Sequence, residues 1–200
     1  MGLPLMHAYS FAGDRLRAFG LIAFLAVIFA ITANTVSDKV GLGPPWLVSA
    51  PTVAAVFGIL YGVVDKWAWR WPLLRVTGVI NTPVVSGHYE GRLRSSYQNT
   101  ELPITIDIEQ TWTRLIVRLK VLSPQSSDSI SLAAALRDVG QHRAQLTYVY
   151  RNTVRPGFAE PDMNDHDGTA ELTIDAVDHT ATGRYYNYRG RQGTLELTQS

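Results

Sequence analysis

Residues 104–119 read ITIDIEQTWTRLIVRL, and their pattern decides the fold of everything C-terminal to them. Ile104, Ile106 and Ile108 alternate with Thr105, Asp107 and Glu109. A period of two is the mark of a strand with one buried face. With Thr113-Arg114 as a two-residue turn, Trp112 faces Leu115, Gln110 faces Val117, Ile108 faces Leu119 and Ile106 faces Val121. All the apolar partners then share one side. A one-residue slip would turn Leu115 and Val117 to water, so the face is fixed even though Thr-Arg is a poor type I′ turn. Gln110 is the polar member of the inner row and requires a partner in protein, water or ligand.

Similar short alternating segments recur between turn signals from Gly87 onward, about eight in all: Gly87–Ser95, Ile104–Trp112, Leu115–Val121, Ile130–Leu136, Leu146–Asn152, His166–Ile174, Thr182–Arg189 and Gly193–Thr198. Short sequential connections favour an eight-stranded antiparallel up-and-down β-barrel over a sandwich, because closure removes exposed edges. Following the inner face strand by strand separates two ends. Trp112, Leu115, Leu136, Leu146, Ile174 and Leu197 form an apolar plug at one. Ser95, Asn152, His166 and Arg189 gather at the other, with Tyr150 and Asn187 just below. Such a mouth can stack a base and hold a phosphate. Gly168, Gly183 and Gly193 are expected to leave room inside, and the Thr153–Asp165 connection to act as a lid.

The N-terminal part has a different chemistry. Residues 1–80 carry six Lys/Arg and three Asp/Glu, against twelve and fourteen in residues 81–200. From Ala18 to Val36, nineteen residues carry no charge, close to the roughly 20 that cross a bilayer. Two transmembrane helices are expected, at about 16–36 and 46–64, joined by the polar turn Ser37–Pro45 into a hairpin. A secretory signal peptide would also begin with Arg15 and Arg17 before an apolar run, but it would not be followed at once by a second run. Trp67, Trp69 and Trp71 close the second span, where aromatic rings favour the headgroup level. Cations flank the pair at Arg15, Arg17, Lys66, Arg70 and Arg75, so the positive-inside rule puts both termini and the barrel in the cytoplasm. Ala50, Ala54, Gly58 and Gly62 recur every fourth residue and form a small-residue face for helix association, within the chain or between copies.

Several function classes drop out. The C-terminal part is net acidic, which argues against bulk binding of DNA or RNA. There is no cysteine, hence no disulfide framework and no thiolate metal site. No Walker loop, no GxSxG and no inward carboxylate pair is present, so no catalytic residues are assigned and no enzyme is expected. His166 stands without convergent ligands, so no metal is expected either.

The residues Gly87–Tyr97 (GHYEGRLRSSY), Ile108–Trp112, the serines of Ser123–Ser131, Tyr148–Asn152 (YVYRN), His166–Leu172 (HDGTAEL) and Gly183–Arg189 (GRYYNYR) carry a resemblance. With the two spans before them, they resemble the two-transmembrane, β-strand-rich effectors of bacterial CD-NTase (CBASS) anti-phage signalling. The resemblance implies a barrel at 81–200 that senses a cyclic dinucleotide made by a neighbouring CD-NTase synthase, with residues 1–80 as the membrane part. It further implies homo-oligomerisation on activation, disruption of the inner membrane and abortive infection, with no cofactor. The candidate ligand contacts within these motifs are Tyr89, Ser95, Gln110, Trp112, Tyr150, Asn152, His166, Tyr185, Asn187 and Arg189. The rival readings are a membrane-anchored lipid or small-molecule carrier, which calls for an apolar mouth, and a membrane scaffold, which needs no cavity.

Overall fold

A computed structural model describes residues 6–11, 13, 15–41, 50–96, 99–123, 127–154 and 164–200. Residues 42–49, which hold part of the expected turn and the start of the second expected span, lie outside the described residues. So do residues 155–163 of the expected lid, Tyr97 and the Ala50 side chain. The chain divides into two units, one of Met1–Ala12 with Pro83–Ser200 and the other of Gly13–Thr82.

The first unit is all β. Strand β1 spans His7–Phe11, and β2 to β9 follow at Gly87–Ser95, Thr100–Gln110, Arg114–Val121, Ser127–Gly140, Arg143–Val154, His166–Asp175, Thr180–Asn187 and Gln192–Gln199. They close into a barrel in the order β1-β4-β3-β2-β9-β8-β7-β6-β5. The eight C-terminal segments are all strands, but the ring has nine. The extra strand is β1, which comes from ahead of the helices and lies antiparallel to β4 and parallel to β5. Its alternation is only five residues long, too short to stand out beside the apolar run that follows.

The β3–β4 turn corrects the expected register. Gln110 pairs with Leu115, Ile108 with Val117, Ile106 with Leu119 and Ile104 with Val121, two residues away from the Thr113-Arg114 hairpin. A shift of two preserves the face, so the same apolar residues stay inside. Thr111 accounts for the longer turn: its Oγ1 accepts the Arg114 N–H at 3.0 Å and the Thr113 N–H at 3.4 Å, and its own N–H donates to the Arg114 carbonyl at 2.8 Å. A hydroxyl that satisfies turn amides replaces the positive-φ residues that a two-residue turn would demand. Trp112 is lifted out of the ladder and buried in the turn.

Leu115, Leu136, Leu146, Ile174 and Leu197 are all buried in one cluster with Ile104, Ile106 and Ile108. Full burial of each such side chain contributes about 1.5–3 kcal/mol. The glycines expected to leave space serve packing instead. A Cβ at Gly168 would lie 2.4 Å from the Tyr150 hydroxyl, one at Gly183 2.7 Å from a Leu172 methyl, and one at Gly193 2.5 Å from the Tyr185 ring. The room they make is filled by those side chains.

The second unit holds helices α1 (Arg15–Val40), α2 (Ala50–Lys66) and α3 (Pro72–Val76), with a 3-10 turn at Ala68–Arg70. α1 runs past the expected end at residue 36 and takes in residues 37–40 of the expected turn. Within it, Arg15–Ala33 has a mean hydropathy of 2.3 and is long enough to cross a membrane. Phe24, Phe29 and Ile31 on this helix are exposed. α2 has 17 residues, about 25 Å of helix, and Tyr61 on it stacks against Phe19 of α1 with ring centroids 5.8 Å apart. Trp67 and Trp71 are exposed, whereas Trp69 is fully buried and is no headgroup anchor.

Candidate functional site

The barrel is sealed at one end and open at the other. At the sealed end, Gln110 Oε1 accepts the Val85 N–H at 2.9 Å, and its amide donates to the Pro83 carbonyl at 3.0 Å and to the Tyr9 hydroxyl at 3.3 Å. Tyr9 in turn donates to the Trp112 carbonyl at 2.8 Å, and the Tyr89 hydroxyl donates to the Val85 carbonyl at 3.0 Å. Burial pushes the Tyr89 phenol up to about 12. Three of the expected contacts, Tyr89, Gln110 and Trp112, thus belong to the seal. The partner that Gln110 required is the chain itself.

The open end surrounds a cavity of about 140 Å³. Its deep wall is apolar, built by Leu93, Leu102, Leu119 and Leu195, and its upper wall carries Ser95, Tyr150, Asn152, His166, Tyr185 and Asn187. Six of the ten expected residues are therefore gathered in one place. Tyr148 and Tyr150 sit two apart on β6, and both point inward by strand alternation; their rings are 6.3 Å apart. Tyr150 meets the His166 ring edge-on at 6.5 Å. The Tyr185 hydroxyl donates to Ser95 Oγ at 2.8 Å. Desolvation raises all three cavity phenols above their ordinary value, so they stay neutral at physiological pH and act as donors and stacking faces.

The polar rim is positioned by short local networks. Asn152 Oδ1 accepts the Ser129 hydroxyl at 2.8 Å, tying β6 to β5. His166 Nδ1 lies 2.9 Å from the Asn164 carbonyl; a carbonyl can only accept, so Nδ1 carries a proton and donates it there, which fixes the ring at the mouth. Asn187 Oδ1 accepts the backbone N–H of Arg189 at 3.0 Å and of Arg191 at 3.2 Å, in a turn whose Gly190 has φ +72°. That turn settles which arginine faces the cavity. Because β8 stops at Asn187, alternation no longer governs the next residues. Arg189 lies over the Tyr188 ring at 5.5 Å and reaches the Asp165 carbonyl at 3.4 Å, while Arg191 lines the cavity. The Asn-Tyr-Arg-Gly turn was the signal in the sequence that the strand ends early.

Among the described residues no cluster of His, Cys, Asp or Glu has the grouping of a metal site. The carboxylates near the mouth are engaged outside it: Asp167 takes a two-pronged contact from Arg151 at 2.9 and 3.1 Å, which holds its carboxyl below the usual range. Fold and site together define a class: a closed β-barrel with a small, side-chain-lined cavity open at one end, tyrosine-walled and cationic at its rim.

The chain belongs to the family described as Cap15, cyclic dinucleotide receptor domain, which residues 80–199 match. It is similar to a CD-NTase-associated protein 15 from Yersinia aleksiciae, 30% identical over 188 residues that cover 89% of this chain and 85% of that one. Among solved structures it is similar to a de novo designed fluorescence-activating β-barrel, with 18% identity and a TM-score of 0.37 over 57% of this chain and 93% of the design.

Proposed function

We propose that this protein is a membrane effector of CBASS anti-phage defence, whose barrel binds a cyclic dinucleotide supplied by a partner CD-NTase synthase. The observation that carries the reading is the tyrosine-walled cavity with Arg191 at its rim, inside a domain matched by a cyclic dinucleotide receptor family. A cyclic dinucleotide has flat bases and two phosphodiester anions. Tyr150 and Tyr185 offer stacking faces, Asn152, Asn187, Ser95 and His166 offer hydrogen bonds to base edges, and Arg191 offers the charge for a phosphate. At about 140 Å³ the cavity is well below the roughly 300–1,000 Å³ of drug-sized sites. One base enters, and the ribose-phosphate ring rests across the mouth.

Residues 1–80 form the membrane part. α1 meets the length and hydropathy of a span, and the uncharged residues 46–49 ahead of α2 bring the second apolar segment to the roughly 20 residues that a span needs. Both spans sit in the inner membrane with the termini and the barrel on the cytoplasmic side. Ligand binding drives homo-oligomerisation through the Ala50-Ala54-Gly58-Gly62 face. A Cβ at Gly58 or Gly62 meets nothing within 4 Å, which favours a second copy over α1 as the partner of that face. Assembly then disrupts the bilayer and arrests the infected cell.

The test is thermal unfolding of the full chain in detergent micelles, with cyclic di-AMP, cyclic di-GMP and mixed purine–pyrimidine members added singly. A ligand at 100 times its dissociation constant adds about 2.7 kcal/mol of stability. A clear rise in Tm with one member is expected. No shift with any of them, from folded protein, overturns the receptor reading, and a shift with phospholipid or fatty acid instead moves the protein to the carrier class.

A further inference from the structure

The ring of strands is uneven, and its thinnest place adjoins the cavity. Among the described residues β4 and β5 pair directly through only Arg118↔Ile130, Leu119↔Ser129 and Lys120↔Asp128, whereas β5 pairs with β6 along nearly its whole length. The middle pair of that seam, Leu119 and Ser129, lines the cavity from both flanks. Beyond it the two strands part, and β1 fills the gap with His7↔Leu115 and Ala8↔Arg114 on one side and Tyr9↔Ala134 to Phe11↔Leu136 on the other. Ser131 sits at the fork. Its buried hydroxyl accepts the Val117 N–H at 2.9 Å in place of a strand carbonyl, and lies 2.7 Å from His7 Nε2. β1 ends at Phe11 and α1 begins at Arg15, so the strand that closes the fork is joined to the first apolar helix by three residues.

We propose that β1 is a releasable strap: a ligand entering the cavity spreads the β4–β5 seam, frees β1 from the fork, and so transmits occupancy to α1. This rests on the receptor reading and adds the element that carries its signal. A base that fills the cavity presses on its side-chain-lined wall, and a seam of three residue pairs yields before ladders of seven or more. The amides and carbonyls of β1 gain no partner other than β4 and β5 from the ladder, so loss of the fork exposes the whole strand at once.

The experiment uses the full chain, which has no cysteine of its own, with Ala8→Cys and Arg114→Cys introduced together. These positions are antiparallel partners on the outer face, at a separation suited to a disulfide, and neither lines the cavity. The protein is placed in phosphatidylethanolamine–phosphatidylglycerol vesicles loaded with a dye, and the cyclic dinucleotide that raises its Tm is added. The oxidised lock is expected to bind that ligand with unchanged affinity yet release no dye, and reduction is expected to restore release. Hydrogen exchange on the unsubstituted chain reads the same event without any mutation: ligand should speed exchange at residues 8–11 by about tenfold or more. Binding with unchanged exchange in β1, or full dye release from the oxidised lock, overturns the strap while leaving the receptor reading intact. Absence of binding by every cyclic dinucleotide overturns the receptor reading and the strap with it.

Discussion

A methyl group added at Gly168 would lie 2.4 Å from the Tyr150 hydroxyl and 2.7 Å from the Tyr186 carbonyl. The carbonyl belongs to a neighbouring strand and cannot step aside, so Gly168→Ala should destabilise the barrel by about 1–3 kcal/mol, read as a lower Tm with the Tyr150 environment altered in the near-UV spectrum. Arg191 and Arg189 make the opposite pair of predictions at the same scale. Arg191→Ala, at the cavity rim, should weaken cyclic dinucleotide binding at least about tenfold in calorimetry, since a charge-assisted contact contributes about 1.5–3 kcal/mol. Arg189→Ala, over Tyr188 and outside the cavity, should leave affinity within about threefold. Equal effects from the two would refute the geometry of the Asn187 turn.

Among the elements, β1 separates this barrel from one that its C-terminal strands could make alone. Tyr9 is buried and bonded at the sealed end, and Tyr9→Ala should cost about 3–5 kcal/mol, as for other large aromatic truncations. A chain beginning at residue 81 should unfold at a lower temperature than the full chain and aggregate, because the unpaired parts of β4 and β5 are left as open edges. The β2–β3 pair carries a pH dependence on its outer face. His88 lies 2.5 Å from Asp107 and 3.2 Å from Glu90, and the hydrogen bond to Asp107 raises its pKa above the ordinary 6.5. A folded-state pKa raised above the unfolded one gives stability that is fully present below pH 6.5 and fades as pH climbs through the folded value. Tm should therefore drift down from about pH 6 toward pH 8, by a small amount because the pair is exposed, and Asp107→Asn should flatten the drift.

At the scale of the whole molecule, the barrel and the helical unit present different surfaces. The barrel buries a continuous apolar cluster, whereas α1 leaves Phe24, Phe29 and Ile31 exposed, which water penalises and a bilayer does not. Gly58→Leu fills open space in the isolated chain. It should leave the Tm of the barrel unchanged while reducing ligand-triggered assembly in vesicles, measured by cross-linking. Retained assembly would remove the small-residue face from the mechanism.

The sequence alone determined the buried face of β2 to β4 and β6 to β9, because a period of two has only two phases and one of them buries isoleucines and leucines; in β5 a bulge between Ser131 and Ala133 switches the phase and leaves Leu132 exposed. It determined equally the apolar plug, the six mouth residues Ser95, Tyr150, Asn152, His166, Tyr185 and Asn187, and the long uncharged run of α1. Only the tertiary structure decided what lies between the strands' ends and across the sequence. The Thr111 turn moved the β3–β4 register by two, since side-chain hydrogen bonds in a turn are not visible to alternation. The Asn187 turn exchanged Arg189 for Arg191 at the cavity for the same reason. Gln110 and Tyr89 serve the seal because Val85, Pro83 and Tyr9, the last about a hundred residues from Gln110 in sequence, close a network that no local pattern announces. The ninth strand was decided last of all: five residues acquire a strand's hydrogen bonds only where the parting of β4 and β5 leaves backbone groups to be paired, and that place exists only once the rest of the ring has closed.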